Sequence, residues 1–119
     1  MADVQPACLV QRLEGVVCLE LVDAVIVDDA VVGRIDAAAR QALAVYPKDG
    51  LLIDFRNVTY VSSAVFGRLI SLNRLSKARG ECLRVCGMSP MIRQMFAVTQ
   101  LDQLFEFFDD RDAAVRHAG

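Results

Sequence analysis

Two adjacent serines, Ser62 and Ser63, stand where a buried strand gives way to a helix, in the run Leu51 to Gly67 that reads LLIDFRNVTYVSSAVFG. A helix N-terminus offers unpaired N–H groups and a partial positive charge, so a hydroxyl there has two uses. It can cap the helix, or it can carry a phosphate whose charge the helix end welcomes. Asp54 lies within the apolar strand just upstream and is the other carboxylate worth chemical attention. A buried carboxylate can titrate abnormally, but one at a strand end is more simply read as satisfied by its neighbours.

The remaining reactive side chains form no catalytic or metal-binding set. The acid pairs Asp28-Asp29 and Asp109-Asp110 each precede a helical pattern and read as caps. The single histidine, His117, lies in the tail, which argues against a Ser/His/Asp triad and against zinc. Cys8, Cys18, Cys82 and Cys86 sit in apolar strand-like runs without C-x-x-C spacing, so they read as reduced, buried and structural. Gly33, Gly50, Gly67, Gly80 and Gly87 are isolated and make no phosphate loop. The chain is therefore expected to use no metal and no cofactor, and to be no enzyme.

The elements that must position the serines follow from periodicity and breakers. Cys8 to Leu13 and Val16 to Val22 read as two strands around a Glu14-Gly15 turn. Asp28-Asp29 opens a helix from Ala30 to Tyr46 with Val31, Ile35, Ala38, Ala42 and Val45 as its apolar stripe, stopped by Pro47 and Gly50. Leu51 to Phe55 is a covered strand. From Ala64 to Ala78 a second helix turns Val65, Leu69, Leu72 and Ser76 inward, with Phe66 and Ile70 flanking. Arg68, Ser71, Arg74 and Ala78 face outward, and Leu75 lies among them. Gly80 ends this helix and Glu81 to Cys86 alternates as a strand. Ser89-Pro90 starts a third helix with Met91, Ile92, Met95 and Phe96 as its stripe. Leu104 to Phe108 reads as a last strand, and Asp109 with Asp112 as a capping box for a short helix from Arg111 to His117. The order β-β-α-β-α-β-α-β-α predicts an α/β domain with a mostly parallel mixed sheet and helices packed mainly on one face.

Size and composition agree with one domain filling residues 1–119 with a core of about 8–116. The chain is 55% hydrophobic and 24% charged, with a net charge of −2, which disfavours general nucleic-acid binding. It has no leader-like start and no apolar run long enough to span a bilayer, so a cytoplasmic location without membrane insertion is expected. A monomer or weak homodimer is expected, since the apolar N-terminal hairpin could pair between chains.

These residues together resemble a STAS domain of the anti-sigma-factor antagonist type. That family carries an Asp or Asn on a strand, a turn, then Asp-Ser-Ser-Gly-Leu-Gly opening a helix. Here Asp54 and Gly67 occupy the two ends of that pattern without a gap, and Gly80, Gly87-Met88-Ser89-Pro90, Phe96, Leu101 and Leu104-Phe105 continue it. The resemblance puts the phosphoacceptor on Ser63, with Ser62 as the fallback, and a partner surface on Ser62, Ser63, Ala64, Val65, Arg68, Ser71 and Leu75. Three positions depart from the family: Ser62 stands for its Asp, Ala64 for its second Ser and Val65 for its Gly.

The function implied by the resemblance is partner switching. Such a domain binds an anti-sigma factor, itself a serine protein kinase, when unphosphorylated, is released on phosphorylation, and is reset by a PP2C-type phosphatase, thereby regulating transcription. The alternative is a non-switching STAS adaptor, either a scaffold in a signalling complex or a cytoplasmic subunit of a lipid-transport ABC system, in which the serines only cap the helix.

Overall fold

A computed structural model describes residues 6–117. Strands β1 (Cys8–Leu13) and β2 (Val16–Leu21) form the expected hairpin, with Leu13 opposite Val16. Glu14 (φ 48°) and Gly15 (φ 81°) both take positive φ, as a two-residue turn matched to strand twist requires. β3 (Val25–Ile26) leads into α1 (Asp29–Val45), capped by the Asp28 carboxylate, which accepts the Ala30 N–H at 2.8 Å. β4 (Gly50–Asp54), β5 (Tyr60–Val61) and α2 (Ser63–Lys77) follow. Then come β6 (Arg84–Cys86), α3 (Pro90–Val98), a 3₁₀ turn (Leu101–Gln103), β7 (Glu106–Phe108) and α4 (Arg111–Arg116).

The main sheet runs β1-β2-β4-β6-β7, antiparallel in its first pair and parallel thereafter. β4 is the central strand and all five of its residues are buried, as a parallel strand covered on both faces must be. α1, α2 and α3 cover one face. Their core is centred on Phe96, whose ring meets Phe55, Phe66, Phe105 and Phe107 edge-on at 6.1, 5.0, 5.8 and 5.5 Å. The other face is smaller: Val16, Cys18, Leu52 and Cys86 pack beneath Ala114 of α4. The mixed α/β sheet with helices mainly on one face is as the sequence predicts.

Several local expectations need correction. β3 and β5 pair with each other in a separate parallel two-stranded sheet that the predicted order omits; two residues are too few to show a period. α1 buries Val32, Ile35, Asp36, Ala39 and Ala42, while Val31 and Ala38 are half-buried and Val45 is exposed. The helix is rich in Ala and Val, so apolar residues lie on neighbouring stripes, and the one that packs inward also takes in Asp36. β6 starts at Arg84 rather than Glu81 because the Leu83 N–H goes to the Asn73 side chain at 3.0 Å. Met91 is exposed, and only Ile92 and Phe96 of the α3 stripe are fully buried. α4 is capped by Asp110, which accepts the Ala113 N–H at 2.9 Å, while the Asp109 carbonyl takes the Gly87 N–H.

All four cysteines are free; Cys8, Cys18 and Cys86 are buried and Cys82 is half-exposed. Burial pushes the Cys18 thiol up to about 11 and raises Cys86 further, with the Asp54 charge adding to it. A raised thiol pKa leaves almost no thiolate at pH 8, so a thiol reagent should label Cys82 quickly and the other three only on unfolding. Fast labelling of Cys18 or Cys86 in the native protein would contradict this packing. Phe96→Ala, which empties the aromatic centre, should lower stability by about 3–5 kcal/mol in urea denaturation.

Candidate functional site

The serine junction is built by the segment that leaves β4. Phe55 and Val58 are buried and the Val58 N–H bonds the Phe55 carbonyl at 2.9 Å, so the chain turns tightly instead of continuing the strand. The Thr59 and Tyr60 N–H groups both donate to the Ala24 carbonyl, at 2.7 and 3.2 Å. The Ser62 N–H then donates to the Ile26 carbonyl at 2.9 Å. Asn57 adds a side-chain bond to the Leu21 carbonyl at 3.1 Å. The serines therefore rest on a platform whose backbone is tied, residue by residue, to β3 and the end of β2.

The two hydroxyls differ. Ser62 is the N-cap of α2 by backbone geometry (φ −80°, ψ 165°), but its side chain makes no capping bond. Its Oγ is enclosed and has no partner among the described residues. Ser63 is the first residue of α2 and is exposed, as is Ala64. The first turn of α2 carries no acidic residue, so its positive pole is unopposed. The helix starts one residue earlier than the sequence pattern suggests, which moves the cap position from Ser63 to Ser62.

The other expected surface residues divide likewise. Arg68 is exposed and Leu75 lies at 37% exposure. Ser71 is half-buried and its hydroxyl accepts from Arg40 Nη2 at 2.8 Å. Val65 is only 5% exposed and belongs to the main core, so its expected place on a partner surface is incorrect. The valine that stands for the family's glycine fills the core here.

Two features were not anticipated. Val25, Val27 and Tyr60 are exposed at 54, 52 and 46% beside the serines, an apolar margin supplied by β3 and β5. The run Val25-Ile26-Val27 carried the signal, since only its middle residue is buried. Asp36, buried on α1, receives Arg40 Nε at 2.9 Å and Arg68 Nη1 at 3.5 Å, which ties the outer faces of α1 and α2 together. One carboxylate facing two guanidinium groups leaves that face positive. α2 itself carries Arg68, Arg74 and Lys77 and no acidic residue.

Asp54 anchors the start of the serine segment. Its side chain is 2% exposed. Oδ1 accepts the Arg56 N–H at 3.0 Å, and Oδ2 accepts from Arg56 Nε at 3.1 Å and from Arg111 Nη2 at 3.1 Å. The expectation of a satisfied strand-end carboxylate describes it. Among the described residues no cluster of His, Cys, Asp and Glu could hold a metal ion, and no helix is long and apolar enough to cross a membrane.

The family model described as STAS domain matches residues 7–114. A STAS-domain containing protein of Pseudomonas aeruginosa is 28% identical over 81 residues, 62% of this chain and 79% of the relative. An anti-sigma-factor antagonist (STAS) domain protein from Planctomyces limnophilus superposes with a TM-score of 0.83 at 16% identity, covering 94% of this chain and 97% of that one. The Bacillus cell fate determinant SpoIIAA in its phosphorylated form superposes with a TM-score of 0.70 at 17% identity, covering 92% and 98%.

Gly87 (φ 70°) closes the site from the β6 side, where an added Cβ would lie 2.8 Å from Asp54 Oδ1 and 3.1 Å from the Arg56 nitrogen. Gly87→Ala should therefore cost about 2–3 kcal/mol in chemical denaturation, from crowding plus backbone strain. A loss under about 0.5 kcal/mol would show that Asp54 is not held as described.

Proposed function

The chain belongs to the STAS domain family, and within it we propose that this protein is an anti-sigma-factor antagonist controlled by phosphorylation of Ser63. The observation that carries this reading is the contrast between the serines. Ser63 offers an exposed hydroxyl at an unopposed helix N-terminus, while the Ser62 hydroxyl is enclosed. Relatives of this fold are anti-sigma-factor antagonists, and one of them has been solved in a phosphorylated form. The likeness in fold to these antagonists supports a regulatory binding role.

The mechanism follows from charge. Unphosphorylated, the platform presents Ser63, Ala64, the Val25–Tyr60 margin and the outer side of α2 with Arg68 and Leu75 to an anti-sigma factor that is also a serine kinase. Transfer of the ATP γ-phosphoryl to Ser63 Oγ forms the P–O bond, releases ADP and sends the hydroxyl proton to a base on the kinase. The phosphate adds about −1.5 to −2 charge. The first-turn N–H groups of α2 stabilise that charge within the domain, worth about 0.3–1 kcal/mol. A partner surface that had matched a neutral hydroxyl and a basic helix must now desolvate or repel an anion. A penalty of about 2–3 kcal/mol lowers affinity about 30- to 150-fold, enough to free one partner for another. A PP2C-type phosphatase would restore the free hydroxyl.

Calorimetry with the cognate anti-sigma kinase tests this. Ser63→Asp should weaken binding by at least about 10-fold while leaving the thermal transition within a few degrees of wild type. Equal affinity for Ser63→Asp and wild type would sink the switch and leave α2 as a fixed docking face, as in a scaffold.

A further inference from the structure

Asp54 takes hydrogen bonds from two quite different elements. From its own loop it holds the Arg56 N–H and the Arg56 guanidinium. From the far end of the chain, α4 places Arg111 over the same carboxylate, with Nε and Nη2 donating to Oδ2 at 3.3 and 3.1 Å. Arg111 also donates to Gln11 at 2.9 Å and pairs with Glu20 of β2. Glu20 in turn accepts from Asn57, inside the serine loop, at 3.1 Å.

α4 has little else to hold it. It is six residues long with Ala114 as its only fully buried residue, and a helix that short does not persist unaided. Besides Arg111, Arg84 Nη1 donates to the Ala114 carbonyl at 2.8 Å, and Val115 packs against the second sheet face. The attachment of α4 is thus largely polar, and one of its contacts, Arg111 to Asp54, is shared with the start of the serine segment.

We propose that Arg111 is a positioning residue for the serine platform, acting through Asp54, so that the docking of α4 sets the order of residues 55–61. With Arg111 gone, a carboxylate at 2% exposure keeps Arg56 as its one paired cation, and that side chain is itself half-exposed. An under-compensated buried charge is costly, so Asp54 turns toward water. In turning it gives up the Arg56 N–H, the first anchor of the loop. The slack passes to the Phe55–Val58 turn and on to Ser62. A ligand that displaced α4 from the second face would loosen the serine surface in the same way, giving the domain a second input. That regulatory meaning rests on the serine surface being the partner site; the mechanical link does not.

Amide hydrogen exchange on the full chain, read by mass spectrometry, tests the link. In Arg111→Ala the segment 55–61 should exchange about 10-fold faster or more, with α1 unchanged. Arg111→Lys keeps the charge without the planar fork and should fall between wild type and Arg111→Ala. In an Asp54→Asn background Arg111→Ala should add nothing, because a neutral amide needs no cation. Unchanged exchange of 55–61 in Arg111→Ala overturns the proposal, and so does the same acceleration in the Asp54→Asn background. If Arg111→Ala loosens the whole domain, Arg111→Lys decides: faster exchange confined to 55–61 supports the link, and uniform loosening overturns it. Faster exchange in 55–61 with unchanged affinity for the anti-sigma kinase would uphold the link while removing the partner-site reading of the serines.

Discussion

One buried carboxylate organises the part of this domain that leads to the two serines. Asp54 ends the central strand, where burial would make a bare negative charge expensive by several kcal/mol. The fold meets that demand from three directions. Arg56 folds back from the next turn, Arg111 reaches over from α4, and Gly87, just after β6, leaves room for Asp54 and the Arg56 backbone. Much of the local architecture follows. The backbone must turn immediately after Asp54, because the Arg56 N–H is committed to Oδ1. β6 must end in a residue able to take positive φ. The very short last helix supplies one of the two cations at Asp54.

From that anchor the chain is led to the serines along a fixed path. Buried Phe55 and Val58 pin the turn, and the β3–β5 pair carries Ser62 to the head of α2. The serines therefore stand on a backbone tied by hydrogen bonds to its neighbours. The proposed charge switch would use that geometry, since a partner fitted closely to it would have to accommodate a phosphate. The basic, acid-free character of α2 fits the proposed switch: a phosphate on Ser63 would change the sign of the field at one end of a positive surface.

The sequence disclosed what short-range chemistry encodes. Glu14-Gly15 marks the hairpin, Ser89-Pro90 caps α3, and the inward face of α2 can be wheeled out correctly from Val65 to Ser76. The ordered set from Asp54 to Gly67 resembles a STAS domain, and the match over residues 7–114 places the chain in that family. What it hid depends on tertiary choice. β3 and β5 are two residues each and become strands only by finding one another. The α1 stripe was ambiguous because Ala and Val lie on neighbouring faces, and the face that packs inward also carries Asp36. Val65 follows from its wheel position as core, yet the family pattern had drawn it to the surface. Nothing in the spacing of Ser62 and Ser63 says which hydroxyl points inward. That is fixed by the Ser62 N–H bond to Ile26, an interaction across 36 positions of chain (62 minus 26).

The central claim is that Ser63 alone is chemically available for phosphoryl transfer. Its most direct test is site-resolved mass spectrometry of the protein after incubation with its cognate kinase and ATP. The account predicts a single phosphate on Ser63 and none on Ser62, whose Oγ is enclosed. Phosphate on Ser62, or no phosphate on either serine, would contradict it.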